Sequence, residues 1–238
     1  DGILWELAAK VSTSVTMLTP DQEAATQRML SRLHSEDTGE QLAASKEIHD
    51  AVAWAADAPI GQRVEANRPH REAVGTLGGV ERVCALTKTD SGVKARCQHW
   101  ATLGQLCLCP KNAATSAAAG ALVAAKAILS DSTSPPELRT EVALCLSRFA
   151  DYCSDRESKA VVAAGLLPLL VQAMMKPATG VHTNRDERDW CISVLTALAR
   201  NLGVRTELQQ AGVAEAFSLM LMAERRKLGP HPDKPSEA

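Results

Sequence analysis

Four glycines recur along this chain at nearly constant distance, Gly79, Gly120, Gly165 and Gly212, with spacings of 41, 45 and 47 residues. Each stands before a short segment with apolar residues at helical intervals: GGVERVCAL from Gly78, AGALVAAKAIL from Ala119, AGLLPLLVQAM from Ala164 and AGVAEAFSLML from Ala211. A period of this size predicts stacked helical repeats, because each unit has an apolar face that only its neighbour hides. Aromatic residues make up 3% of the chain and Ala recurs throughout, which suits closely packed helices better than a sheet. The 238 residues, 45% of them hydrophobic, suffice for a sizeable core, and the repeats favour one elongated domain.

Helix starts and stops can be read between the glycines. Leu4, Leu7, Ala8, Val11, Val15 and Leu18 lie three and four apart, which predicts an opening helix over Ile3 to Leu18. Thr19 followed by Pro20, Asp21 and Glu23 reads as a cap, a first-turn proline and acids facing the helix dipole, so a second helix runs to about His34. After Ser35 to Gly39, Leu42, Ala43, Ile48, Ala51 and Val52 share a third helical face. Pro59, Gly61 and Pro69 break the pattern over Asp57 to Pro69, a loop or distorted helix suited to a partner-specific insertion. From His70 a three-helix unit repeats, with a short helix before the glycine, a second after it, and a longer third beginning near Val93, Glu137 and Arg188. Ser134 reads as a cap ahead of Pro135 and Pro136, and Ser154 to Glu157 has capping-box spacing. The segment KPATGVHTNRD from Lys176 to Asp186 reads as an exposed loop, and GPHPDKPSEA after Leu228 as a proline-rich tail or linker.

Units of this kind resemble armadillo repeats, three-helix motifs of about forty residues in which the second helix opens after the glycine. The Ala-Gly or Gly-Gly before each second helix favours them over the two-helix HEAT class. The resemblance implies an all-α, armadillo/HEAT-like α-solenoid, a right-handed superhelix of three-helix repeats whose third helices line a concave face. It places a repeat domain at 1–228, with a partial repeat at 20–57, fuller repeats at about 68–107, 110–151 and 155–202, and a partial repeat at 203–228, ahead of the tail at 229–238. In the nuclear-import adaptors of that family, Trp and Asn on the third helices bind basic peptides. Aligning Ile48, Leu103, Leu146 and Leu195 puts Lys46, Ala101, Leu144 and Ser193 at the Trp positions and Asp50, Gln105, Arg148 and Ala197 at the Asn positions. The ladder is missing, so a partner of this surface is read by other chemistry, as a folded surface or a helix.

The formal net charge of −2 and a pI near 6.3 argue against a nucleic-acid binder, which usually carries a concentrated positive field. Arg225, Arg226 and Lys227 form the most basic cluster, a short one that reads as cations at the end of the last helix. Seven cysteines, mostly among Ala, Leu and Val, read as small core hydrophobes in a reducing compartment. Cys97, His99, Cys107 and Cys109 lack the spacing of a zinc site, and the six histidines form no nucleophile motif, so neither metal, cofactor nor catalysis is expected. Trp100 and Trp190 fall in third-helix patterns and read as core wedges; Trp5 and Trp54 are candidates for contact with another subunit. No apolar run approaches the ~20 residues that cross a bilayer.

These readings imply a non-catalytic protein–protein interaction scaffold or adaptor, cytoplasmic, with Lys46, Asp50, Trp54, His99, Gln105 and Arg148 as partner-binding side chains. Two alternatives are a structural subunit of a large multiprotein assembly docked through its ends and loops, and a regulatory or targeting domain of a longer protein. The apolar runs Ile3 to Leu7 and Phe217 to Met222 support the former, since a solenoid needs polar caps at its ends.

Overall fold

The computed structural model describes residues 18–53, 62, 64–176 and 186–227, without side chains for 224–227. The expected opening helix, Trp54 and Pro59, the loop at 177–185 and the tail lie outside these residues. All regular structure among them is helical, and the chain divides into two compact units, Asp1–Ala119 and Gly120–Ala238.

In the first unit, α1 (Pro20–Leu33) starts as the sequence predicts: Thr19 and Gln22 exchange hydrogen bonds in a capping box, with Pro20 at the first helical position. The Asp37 carboxylate caps α2 (Thr38–Val52) by accepting from the Gly39 and Glu40 amides. After a 3₁₀ turn, Glu65–Asn67, come α3 (Arg68–Thr76), α4 (Gly79–Leu86), α5 (Val93–Leu106) and α6 (Pro110–Ala118). The Arg71 side chain on α3 is fully buried and donates to the Val52 carbonyl at 3.0 Å and to that of Val64. It thereby satisfies a carbonyl at the end of α2, where a cation also complements the helix dipole.

The Gly78-Gly79 pair shows why the repeat begins as it does. The residue that reverses the chain is Gly78, at φ +80°, one place before the glycine that marks the sequence period. Gly79 is needed for space: a Cβ there would meet Val74 Cγ1 at 2.5 Å and Leu30 Cδ2 at 2.7 Å. The left-handed turn recurs at Gly120, Gly165 and Gly212.

The second unit contains α7 (Ala121–Ser130), α8 (Pro136–Tyr152), α9 (Asp155–Ala163), α10 (Leu167–Met174), α11 (Glu187–Ala199), a 3₁₀ turn Leu202–Val204, α12 (Arg205–Gln210) and α13 (Val213–Lys227). Ser154 and Glu157 form the expected capping box of α9. Ser134 does not cap α8: Pro135 holds that position without a side-chain bond, and the Ser134 hydroxyl donates to the Asp131 carboxylate at 3.0 Å. The aligned anchors Ile48, Leu103, Leu146 and Leu195 are all buried, as core positions of third helices should be. Among the described residues no single helix is long and apolar enough to cross a membrane.

Candidate protein-binding faces

Each unit brings two third helices together. In the first, α5 packs against α2 through a polar seam: the Ser45 and Thr102 hydroxyls lie 3.0 Å apart, Thr102 also donates to the Ser45 carbonyl at 3.0 Å, and His99 Nδ1 sits 3.1 Å from the Ser45 hydroxyl. His99 is fully enclosed, and its Nε2 has no partner. Burial, reinforced by the nearby Arg82 cation, pushes its pKa down to about 4, so the imidazole is neutral at neutral pH. On α5 the Trp100 Nε1 and Gln105 Oε1 atoms are likewise buried without a partner.

In the second unit, α8 and α11 make the most extensive helix contact among the described elements. Inward-facing Leu138, Val142, Cys145, Leu146 and Phe149 are buried on α8, as are Cys191, Val194, Leu195 and Leu198 on α11. An ion pair lies at each end. Arg139 Nε and Nη2 donate to the two oxygens of Glu187 at 3.0 and 2.7 Å, and Arg200 Nη2 meets Asp151 Oδ1 at 2.5 Å. The bidentate pair has directional bonds as well as charge attraction. These pairs join residues 48 and 49 apart, close to one repeat period, as two helices in parallel register require.

Lys176 Nζ adds bonds of 3.2 and 3.1 Å to Glu187, and Arg188 Nε donates to the Met174 carbonyl at 3.2 Å. Burial opposes the Glu187 charge, but the Arg139 and Lys176 hydrogen bonds outweigh it and hold the carboxyl below its usual range. Beside this cluster a cavity of about 360 Å³ opens against Ser132, Leu169 and Gln172. Both cations facing it are already engaged by Glu187. Burial likewise pushes the Cys191 thiol up to about 12, which leaves it a packing group and no nucleophile.

The residues expected to meet a partner divide by burial. Lys46 and Asp50 are exposed one turn apart on α2, and Asp50 Oδ1 pairs with His49 Nδ1 at 3.1 Å. Arg148 is half-buried on α8. His99 and Gln105 are enclosed, at 0% and 6% exposure, which leaves little of either side chain for a partner. Trp54 lies outside the described residues. Thr140, Leu144 and Ser193 are half-buried and Asp189 is exposed, and with Arg148 they form two rows along the register of α8 and α11. Sequence reasoning missed Arg139 and Glu187, although both occupy the first turns of successive third helices. Among the described residues, no group of three or more His, Cys, Asp or Glu side chains is arranged to hold a metal ion.

This geometry defines an armadillo-like helical repeat fold, and solved structures agree. A designed armadillo repeat protein superposes with a TM-score of 0.63 at 14% identity over 79% of this chain and 71% of its own. A designed armadillo repeat protein in complex with the peptide (KR)4 gives 0.58 at 15% identity, over 87% of this chain and 92% of that one. An engineered protein gives 0.64 at 18% identity over 90% of this chain, which spans 44% of that protein. No family model matches the chain, and no curated protein does.

Proposed function

We propose that this chain is a non-catalytic protein-binding scaffold whose third-helix faces receive a partner segment. The observation that carries the reading is the α8–α11 pair: two long helices packed over a shared apolar core with an ion pair at each end, and half-buried Thr140, Leu144, Arg148 and Ser193 in rows between the ion pairs. A surface that does not slide or splay loses little freedom when it binds, which favours affinity. One of the fold neighbours was solved with a bound peptide, which supports the reading. Mixed polar and apolar side chains, without a Trp-Asn ladder, suit a partner helix or folded surface better than a run of lysines and arginines. Exposed Lys46 and Asp50 are the polar contacts proposed for the first unit, and Arg148 for the second.

Selection of binders from a displayed library of helical peptides tests this. The L144R/S193R double variant should weaken the selected binders about tenfold or more. V123D, on the 67%-exposed Val123 of α7, should leave them unchanged. Binders that tolerate L144R/S193R would sink the assignment.

A further inference from the structure

A second site, independent of the third-helix reading, lies within the second unit. The cavity of about 360 Å³ beside Arg139 is walled by the end of α7, the turn into α8, α10 and the first turn of α11. Arg139 stands about 140° around α8 from Leu144, so the cavity is on another side of that helix from the rows proposed to meet a protein. Its volume falls at the small end of ligand pockets, roughly 300 to 1,000 Å³. Leu129 and Ala173, both buried, and half-buried Leu169 give it an apolar wall.

The polar wall is charged unevenly. Among the described residues lining it are two cations, Arg139 and Lys176, and one carboxylate, Glu187, which is ionised at neutral pH. The Asp131 carboxylate is not in the lining and accepts from Thr133 and Ser134. Arg139 commits Nε and Nη2 to Glu187 at 3.0 and 2.7 Å and Nη1 to the Asp131 carbonyl at 3.0 Å. Lys176 reaches the same Glu187 at 3.2 and 3.1 Å, longer than the ~2.7–2.9 Å of a well-formed charged pair, and its side chain is 45% exposed. Lys176 is therefore the cation with bonding capacity to spare. In the same cavity the exposed side chains of Ser132 and Gln172 bond nothing among the described residues, whereas the Ser130 and Ser134 hydroxyls donate to the Ala127 carbonyl and to Asp131.

We propose that this cavity binds a small organic carboxylate, whose head group accepts hydrogen bonds from Lys176, Ser132 and Gln172 and whose short apolar body lies against Leu129, Leu169 and Ala173. A second carboxylate balances the two cations, and Arg139, by fixing Glu187, keeps the Lys176 ammonium in the cavity wall. A phosphate dianion would leave a net negative charge beside Glu187, 13% exposed, which disfavours it.

Hexanoate is the probe, with 1-hexanol as its uncharged and hexylammonium as its oppositely charged counterpart, each titrated into the isotope-labelled chain at neutral pH and followed by amide chemical shifts. Hexanoate should bind saturably, shift amides of 130–139 and 169–176, and outbind both counterparts about tenfold or more. K176M should weaken it about tenfold or more, with circular dichroism confirming the fold. K159M, the same change at an exposed lysine of α9, should leave it unchanged. E187Q keeps the shape and removes the rival charge, so it should tighten binding about threefold or more. The absence of a saturable shift at these amides, equal binding of 1-hexanol, indifference to K176M, or weakening by E187Q overturns the proposal. Inorganic phosphate binding more tightly than hexanoate, and lost in K176M, overturns it too, because the site is then one for phosphate.

Discussion

The same joint, third helix against third helix, is built in two ways. Where α2 meets α5, the contact runs through hydroxyls and a neutral imidazole sealed from water. Where α8 meets α11, the centre is apolar and the polar chemistry sits at the ends as ion pairs, Arg139 with Glu187 and Asp151 with Arg200. The first arrangement is specific but intolerant, because a buried polar atom that loses its partner or gains a charge has no solvent to turn to. The second places its charges at its ends, where Lys176 also engages Glu187 and the Arg200–Asp151 pair meets water. One joint therefore fails by protonation, and the other fails gradually.

Acid separates the two joints most sharply. His99 titrates near 6.5 when unfolded and near 4 when folded, so folding favours its neutral form. That contribution is complete above pH 6.5, declines as pH falls from 6.5 to 4, and amounts to about 3 kcal/mol over the window. His70, also lowered by burial, acts in the same direction. Glu187 has the opposite shift for an acid, held below its usual 4.5, so its support is lost only as pH falls below that value. Urea unfolding between pH 7.5 and 4.5 should show the first unit weakening ahead of the second. H99L should remove the His99 share of the slope, and an unchanged slope would refute the mechanism.

A smaller effect is expected at the charged end of the second joint. E187A leaves Arg139, 13% exposed, without its bidentate acceptor and should cost about 1–3 kcal/mol. The buried Cys191 thiol reports on it directly: labelling by a disulfide reagent should speed up in E187A relative to E187Q, which keeps the shape. The smallest effect belongs to R200A. That pair is 69% and 44% exposed, and its loss should cost no more than about 0.5 kcal/mol in the same unfolding assay. A larger value would mean that the register of α8 and α11 depends on both ends equally.

The repeat was legible because its signals are local. A glycine at φ +80°, a capping box at Ser154 and a proline at the start of α1 each follow from neighbouring residues. At the first repeat the period marks Gly79 whereas the left-handed residue is Gly78, because the two are glycine for different reasons, one of space and one conformational. The candidate site was less legible. Alignment on Leu103 put Gln105 at a binding position, but it is 6% exposed, and His99 is sealed in the polar seam with Ser45; both burials depend on three-dimensional packing that periodicity alone does not encode. Arg139 and Glu187 find each other across 48 residues, a pairing that only the repeat period could have suggested.

The Lys176–Glu187 ion pair and the Arg188–Met174 bond have one more consequence. Together they tie the exit of α10 to the entry of α11, so the chain between them leaves and returns at a set separation. For a loop held shut at its base, doubling the length costs only about 0.6 kcal/mol of closure entropy. A longer connection between Lys176 and Asp186 should therefore cost the α10–α11 joint little stability, which urea unfolding of a variant lengthened there would show.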